Sequence, residues 1–100
     1  MKWLWNWGGE CFGYVEGENL WTYSGKHVGT LDGDEIYGPR GEYLGEVMNG
    51  DRLIVNRAKS SWRKAGFVPY GRLGGYARYA GYAGYAMYAG YEDFPSADQL

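Results

Sequence analysis

The two side chains with the greatest catalytic potential occur once each in this chain. His27 is the only histidine and Cys11 is the only cysteine. A metal site needs several Cys, His or carboxylate ligands at suitable spacing, and a nucleophilic triad needs a base beside its nucleophile. No spacing of that kind joins these two residues. We therefore expect no catalytic residue, no metal site and no cofactor, with His27 a strand residue and Cys11 a small core residue.

The acidic run Asp32-Gly33-Asp34-Glu35 resembles part of a cation-binding loop. A calcium loop of the EF-hand type places ligands at alternate positions with glycine at the sixth, and this run does not continue in that way. We interpret it as a solvated turn. Gly25-Lys26 likewise lacks the upstream glycine and the following Ser or Thr of a phosphate-binding loop.

The aromatic side chains carry the remaining binding chemistry. Trp5, Trp21 and Tyr37 recur at a constant interval of sixteen positions, and Trp3 and Trp7 flank Trp5 at strand spacing. Such a column can be packed core, because each large ring buries ~150–250 Å². It can also line shallow pockets for sugars. The first interpretation predicts a structural column, and the second predicts a carbohydrate-binding strip.

Near the end of the chain, tyrosines recur at every third position. They are Tyr76, Tyr79, Tyr82, Tyr85, Tyr88 and Tyr91. A period of three drifts around an α-helix and changes faces along a strand, whereas an extended helix with three residues per turn aligns it. The segment is predicted to be a flexible low-complexity tail, an extended segment docked on other surfaces, or a helix weakened by its glycines. Its tyrosines are the candidate interaction residues.

Charge is unevenly distributed along the chain. Residues 1–50 carry three basic and eight acidic side chains, residues 51–80 carry seven and one, and the net charge is −2. The basic stretch contains aromatic residues, as nucleic-acid patches do, but the chain is acidic overall and has no recognition motif. We interpret the stretch as a solvated linker, with weak nucleic-acid binding as the alternative.

A repeat with a period of sixteen positions runs through residues 1–57. Leu4, Leu20 and Ile36 precede the aromatic column, and Asp51-Arg52-Leu53-Ile54 begins a fourth unit. The repeated glycines are Gly9, Gly25 and Gly41, followed by Gly13, Gly29 and Gly45. Each unit has the pattern of a strand, a tight turn, a second strand and another tight turn.

The glycines inside the second strands predict how the units are arranged. A glycine in a strand marks a bulge, a sharp bend or a close backbone approach. One bend per unit would curl the units around an axis, and four units can close and remove their exposed edges. The predicted fold is all-β: a small closed arrangement of four short β-hairpin repeats with pseudo-fourfold symmetry, followed by an extended low-complexity Tyr/Ala/Gly tail.

The repeat resembles a known family. Gly25-Lys-His-Val-Gly29, Gly33-Asp-Glu-Ile-Tyr37, Gly41-Glu-Tyr-Leu-Gly45 and the start of the fourth unit are similar to the bacterial 4-fold β-flower domains. The resemblance covers about residues 10–57. It implies a fold and no established activity, so no catalytic residue is carried over.

These observations predict an organisation in three segments. Residues 1–57 form the repeat domain, residues 58–75 a basic linker, and residues 76–100 the tail. No apolar run approaches the ~20 residues that span a bilayer, and the start is a poor signal peptide, so we expect a cytoplasmic location and no membrane partner.

The expected function is that of a non-enzymatic structural or interaction module that self-assembles through its tail. The alternative is a carbohydrate or cell-wall binding module that uses the repeated Trp and Tyr. The expected partners are further copies of the chain, with a glycan or another protein as alternatives.

Overall fold

The computed structural model describes the whole chain and contains only strands, short 3-10 helices, turns and extended chain. The strands are β1 (Lys2–Asn6), β2 (Cys11–Glu16), β3 (Asn19–Thr22), β4 (His27–Asp32), β5 (Glu35–Tyr37), β6 (Tyr43–Met48), β7 (Arg52–Asn56) and β8 (Tyr91–Asp93). Two 3-10 helices, Arg57–Lys59 and Ala97–Gln99, follow β7 and β8. No helix is long and apolar enough to cross a membrane.

The first seven strands form a closed barrel. Each pairs antiparallel with the next, and β1 closes the ring by pairing in parallel with β7, where Trp5 lies opposite Arg52. Closure pairs the first and last strands of the ring with each other and so reduces the strand edge that could attract another chain. The predicted all-β fold is confirmed.

Each of the three hairpins β1–β2, β3–β4 and β5–β6 contains the same β-bulge. Leu4 pairs with Gly13, but the next residue pairs with Cys11, so Phe12 has no partner across the strands. The same shift leaves Val28 unpaired in β4 and Leu44 unpaired in β6. A bulge bends its strand and increases the local twist. The sheet therefore curves at three corresponding places.

The glycine after each bulge is required by a close approach. A Cβ on Gly13 would lie 2.0 Å from the carbonyl oxygen of Trp21, and a Cβ on Gly45 would lie 2.6 Å from the Phe94 ring. At Gly29 the nearest atom would be a methyl carbon of Ile36 at 2.9 Å. None of the three glycines has a positive φ, so lack of space, and not backbone handedness, selects glycine.

Apolar side chains from the strands and from the segment after β8 fill the barrel interior. They are Leu4, Phe12, Leu20, Val28, Ile36, Leu53, Phe94 and Ala97, with Leu44 of β6 packed against them. Alternate residues of a strand point to opposite faces. The neighbouring aromatic column therefore points outward.

The hairpin turns form two sets at opposite ends of the barrel, because successive turns of an antiparallel sheet alternate ends. We call residues 7–10, 23–26 and 38–42 the covered turns. The open turns are residues 17–18, 33–34 and 49–51. A glycine with positive φ occurs in every one of these six turns.

The end of the chain returns to the barrel. β8 pairs antiparallel with β7, and the Phe94 ring lies edge-on to Phe12 with 5.2 Å between their centroids. β8 therefore adds a strand beside β7, from residues that the sequence assigned to the tail. Strand pairing alone does not assign domain boundaries, so the division into residues 1–57, 58–75 and 76–100 stays a prediction.

Candidate interaction surface

The segment between β7 and β8 runs around the barrel over the covered turns, and we call residues 57–90 the belt. Belt N–H groups donate to the carbonyl oxygens of the three positive-φ glycines of these turns. The bonds run from Lys64 to Gly41, from Leu73 to Gly25 and from Tyr82 to Gly9, each at 2.8 Å. The donors are nine positions apart along the chain, while the acceptors are sixteen positions apart.

A second bond lies three positions further along the belt in each case. The donors and acceptors are Phe67 to Pro39 at 2.9 Å, Tyr76 to Tyr23 at 2.7 Å and Tyr85 to Trp7 at 3.1 Å. An arc of nine belt positions therefore spans one sixteen-position hairpin unit. Because nine is a multiple of three, a residue period of three keeps the same phase relative to successive units. Tyrosines occupy three of the six donor positions, and Lys64, Phe67 and Leu73 occupy the others.

Belt glycines lie where the belt backbone touches the turns. A Cβ on Gly66 would lie 2.5 Å from the carbonyl oxygen of Pro39, and a Cβ on Gly84 would lie 2.9 Å from that of Gly8. A Cβ on Gly75, midway between them, would lie 3.1 Å from the Cα of Ser24. These three glycines are again nine positions apart. These contacts hold the belt backbone against the covered turns.

The belt tyrosines pack one side of each ring on the barrel. Tyr82 stacks on Trp5 with 4.2 Å between centroids, and Tyr79 meets Trp3 edge-on at 4.7 Å. Each of the tyrosines from Tyr76 to Tyr88 is about half exposed, from 48% at Tyr85 to 54% at Tyr79. The six predicted interaction residues therefore lie together on the barrel, all but Tyr91 about half exposed.

The belt buries the aromatic column that the repeat predicted. Trp5, Trp21 and Tyr37 are 7%, 5% and 3% exposed, and Ile54 takes the fourth position in β7 with no exposed surface. The indole N–H of Trp5 donates to the carbonyl oxygen of Ala80 at 2.9 Å. The belt therefore packs against these side chains and covers them.

His27 attaches the belt at the second covered turn. Its Nδ1 accepts a hydrogen bond from the Tyr70 N–H at 3.0 Å, so the proton lies on Nε2, which donates to the Gly29 carbonyl at 3.0 Å. The ring packs against both Trp21 and Tyr70, with centroids 4.9 and 5.1 Å away, and those two rings also stack on each other at 6.2 Å. Burial lowers the pKa of His27, although the bond to Gly29 acts in the other direction. A neutral imidazole with both nitrogens engaged is an anchor and not a free base.

Arg52 attaches the belt where β7 meets β1. This side chain is 5% exposed, and its guanidinium lies 4.4 Å from the centroid of the Tyr85 ring and donates to the carbonyl oxygen of Ala83 at 2.9 Å. Its nearest carboxylate, Asp51, is 3.8 Å from Nε. The tyrosine face, the Ala83 carbonyl of the belt and the Trp7 carbonyl of the barrel thus solvate a buried cation.

Lys59 fastens the beginning of the belt. Its ammonium lies 2.8 Å from Glu35 and 3.0 Å from Glu46, which face each other across β5 and β6. The hydrogen bond from Lys59 lowers the pKa of Glu35. The lysine lies between two carboxylates of like charge and reduces their repulsion. We therefore interpret these three side chains as a structural contact between the belt and the barrel. No group of three His, Cys, Asp or Glu side chains is placed to hold a metal ion.

The belt and the barrel carry charges of opposite sign. Residues 57–90 contain six Lys or Arg and no Asp or Glu. Four of these cations have a local partner in Glu35, Glu46, Glu92, Asp32 or the Tyr23 ring. The acidic side chains are concentrated in the barrel and from β8 onward. A basic aromatic belt therefore surrounds an acidic barrel.

The sequence and arrangement of the barrel agree with one family model. A model described as 4-fold beta flower protein matches residues 1–71. This chain belongs to the 4-fold beta flower family. The match extends beyond the region of resemblance in the sequence and includes all seven strands of the flower barrel and the first part of the belt. No curated protein and no solved structure matches the chain.

Sequence reasoning missed three residues that hold the belt on the flower. Arg52 was noted only as one of several basic residues, Lys59 as part of a linker, and Phe94 was not singled out. One weak signal was present, because Phe94 is an isolated large apolar residue beside the tyrosine run. The nine-position spacing of the belt contacts has no signature that could be recognised without knowing the unit it spans.

Proposed function

We propose that this flower protein is a non-enzymatic interaction module, that its contact surface is the belt, and that it self-associates through the belt tyrosines. The observation that carries the proposal is the ordered row of half-exposed rings. Each ring is held from beneath by a barrel aromatic, so binding would cost little further side-chain entropy. Tyrosine has two side-chain torsions and an amphipathic ring, which suits it to such surfaces.

A second copy is the partner that the charges favour. The belt is basic, and the open turns at the other end of the barrel carry exposed acids. These are Glu18 and Asp34, with the exposed Glu16 immediately before the first open turn. A basic belt of one copy can face the acidic open turns of another, and complementary potentials of this kind speed and orient association.

We further propose pseudo-fourfold symmetry for the flower, with β7 and β8 as its fourth hairpin. The proposal is supported by the equivalent bulges at Phe12, Val28 and Leu44 and by the burial of Phe94 beside them. It is also supported by the equal arcs of the belt. Four similar units would give a self-associating molecule several similar contact positions.

The test is the solution mass of the full chain measured by sedimentation over a wide range of concentration. We expect an oligomer that dissociates when Tyr79, Tyr82 and Tyr85 are changed together to serine. Val68→Ser is the matched control, because Val68 is an apolar belt residue that is 90% exposed outside the tyrosine run. A monomeric wild-type chain, or equal dissociation in the control, would refute self-association through the tyrosines.

The variants must be compared as folded proteins. Thermal unfolding and hydrogen exchange at the Leu73 and Tyr82 amides report whether the belt remains docked, because both amides bond to turn carbonyls. Truncation after Val68 is unsuitable, since it removes β8 and Phe94 from the barrel.

A carbohydrate-binding module is the second candidate, and the open faces of the belt tyrosines favour it. Trp5 and Trp21 are buried, so the sugar platform would be Tyr79, Tyr82 and their neighbours. A glycan array would then show binding that Tyr82→Ser weakens and Tyr82→Phe retains in part. If the folded monomer binds no glycan on the array, the carbohydrate-binding function is refuted.

A further inference from the structure

A cavity of about 250 Å³ lies beside the belt, between the second and third covered turns. Val28 and Leu44 lie in its wall, and both belong to the apolar core of the barrel or pack against it. Tyr70 and Arg72 of the belt are exposed residues of the same wall and therefore lie at its mouth. The cavity thus connects the apolar interior of the flower with solvent.

The cavity lies where the repeat lacks a large aromatic side chain. Trp7, Tyr23 and Pro39 are sixteen positions apart, and their carbonyl oxygens accept the second belt bond of each unit. The three residues therefore occupy equivalent places beneath the belt. The first two units place a flat ring there, whereas the third places a proline that lines the cavity.

The rings of the first two units show what this position holds. Trp7 is 1% exposed, and the centroid of its ring lies 5.0 Å from that of Tyr85. Tyr23 packs against the apolar core. The guanidinium of Arg78 lies 4.5 Å from the centroid of the Tyr23 ring and donates to its hydroxyl at 3.0 Å. Both units thus pack an aromatic ring of the covered turn against the belt.

The belt residue that meets this ring also changes in the third unit. Pro69 lies nine positions before Arg78, which is one arc of the belt, and it too lines the cavity. The second unit therefore pairs Tyr23 with Arg78, and the third unit has two prolines in their places. Because the prolines are smaller, the space of a ring is left unfilled, and the single cavity of the molecule lies there.

The wall of the cavity combines apolar and aromatic side chains. The rings of His27 and Tyr70 lie in it beside Val28 and Leu44. Aromatic pairs are stabilised beyond the effect of their buried area. A planar aromatic ring would therefore fit this wall better than a saturated ring of the same size.

The mouth carries charges of both signs. Lys26 and Arg72 lie there with Glu42, and the Lys26 ammonium already donates to the backbone oxygen of Leu100. The mouth thus favours neither an anion nor a cation. A neutral hydroxyl suits it, because a hydroxyl can accept a hydrogen bond from a cation and donate one to a carboxylate.

We propose that this cavity binds a small neutral phenol, with its ring in the place that Tyr23 fills one unit earlier and its hydroxyl at the charged mouth. An apolar cavity of about 150 Å³ holds a benzene molecule, so this larger one has room for a phenol with a small substituent. The proposal does not rest on self-association, because none of the tyrosines at positions 76–91 lines the cavity.

The experiment uses the full chain and two probes, 4-methylphenol and its saturated counterpart 4-methylcyclohexanol. Binding is followed by two-dimensional NMR of the backbone amides. Tyr70 is the most useful reporter, because it lines the cavity and its amide bonds to His27. We expect saturable shifts at Tyr70 and Val28 with 4-methylphenol. The saturated ring should bind about two- to tenfold more weakly, because it loses the aromatic contacts with the wall.

The repeat itself supplies the decisive variant. Pro39→Tyr installs the residue of the second unit, so the protein's own ring should fill the cavity and abolish binding of both probes. Pro39→Ala is the matched control, because it removes the same proline but leaves the cavity open, and it should retain binding. Thermal unfolding checks that both variants are folded, and Pro39→Tyr should have the higher Tm of the two because its ring fills the cavity.

Equal affinity for both probes would overturn the preference for an aromatic ring. Unsaturable shifts, shifts centred on the Tyr82 amide, or 4-methylphenol binding that survives Pro39→Tyr in a folded protein would overturn the site. If Pro39→Tyr does not fold, Leu44→Phe fills the same cavity from the third hairpin with the residue found at Phe12, and decides the outcome in the same way.

Discussion

The covered turns and the open turns need the same backbone conformation for different reasons. Gly25 in a covered turn has φ +94°, and Gly33 in an open turn has φ +60°. A Cβ at Gly25 would lie 2.1 Å from the carbonyl oxygen of Leu73, whereas a Cβ at Gly33 would meet nothing within 4 Å. The comparison shows that one local signal, a turn glycine, carries two structural roles. At the open turn the glycine provides only the positive φ that the turn needs. At the covered turn it also leaves the space that the belt backbone occupies.

The first prediction concerns a variant that should release the belt from the covered turns. Phe94→Ala empties the core position that anchors the far end of the belt, and we expect a loss of about 3–5 kcal/mol, as for other buried Phe→Ala changes. The covered turns should then lose their belt bonds. Denaturant unfolding gives the free energy, and hydrogen exchange should accelerate at the Leu73 and Tyr82 amides, which bond to Gly25 and Gly9.

Phe94→Leu is the control for this change, because it keeps most of the buried volume and should cost much less. Equal destabilisation by Ala and Leu would indicate that the shape of the ring, and not its bulk, holds the segment.

The second prediction compares the loss of stability caused by alanine at an open-turn glycine and at a covered-turn glycine. Gly33→Ala should cost about 1–2 kcal/mol, the ordinary penalty for a left-handed residue with a Cβ. Gly25→Ala adds the collision with Leu73 and the loss of a backbone hydrogen bond, so we expect about 2–4 kcal/mol. Thermal and denaturant unfolding of the two single variants give the difference. Equal losses would show that the belt does not constrain the covered turn.

The third prediction uses pH to loosen one covered turn. The folded-state pKa of His27 is lowered from its ordinary value of 6.5, chiefly by burial. The neutral ring therefore contributes stability that is complete above about pH 6.5 and is lost as the pH falls toward the folded-state pKa. A protonated ring cannot accept the Tyr70 N–H, so exchange at Tyr70 should accelerate first.

Unfolding measured between about pH 7.5 and 5.5 avoids the titration of most carboxylates. His27→Gln keeps a polar side chain without a titration in this range, and its stability should vary less with pH. If the two proteins lose stability equally, the dependence belongs to other groups.

The smallest effect is expected at a contact that links the belt to the end of β4. The Lys64 ammonium contacts Asp32, but both side chains are largely exposed, at 45% and 60%. Exposed pairs contribute little. Lys64→Ala should therefore lower Tm less than Gly33→Ala does, with no change in exchange at Leu73. A larger shift would mean that side-chain charge, and not backbone contact, docks the belt.

Much of the barrel was predictable because its signals are local. The repeat predicted strands separated by turns, and the all-β fold follows from it. The strand glycines were correctly expected to mark irregularity, but only the structure shows that Gly13 faces the Trp21 carbonyl while Phe12 forms the bulge. The belt was less predictable. Tyrosine spacing allowed three conformations, and nothing in the spacing itself indicated that His27 would bond to Tyr70.

The amino-acid sequence by itself determined the period of the repeat, the positions of the turns and the alternation of core and outward residues. These depend on backbone preferences and side-chain polarity within a few residues. Only the tertiary structure decided that β8 pairs with β7, that an arc of nine belt positions matches one hairpin, and that Trp5 is buried beneath Tyr82. These features depend on the circumference of a closed barrel, a distance that exists only after the strands have paired.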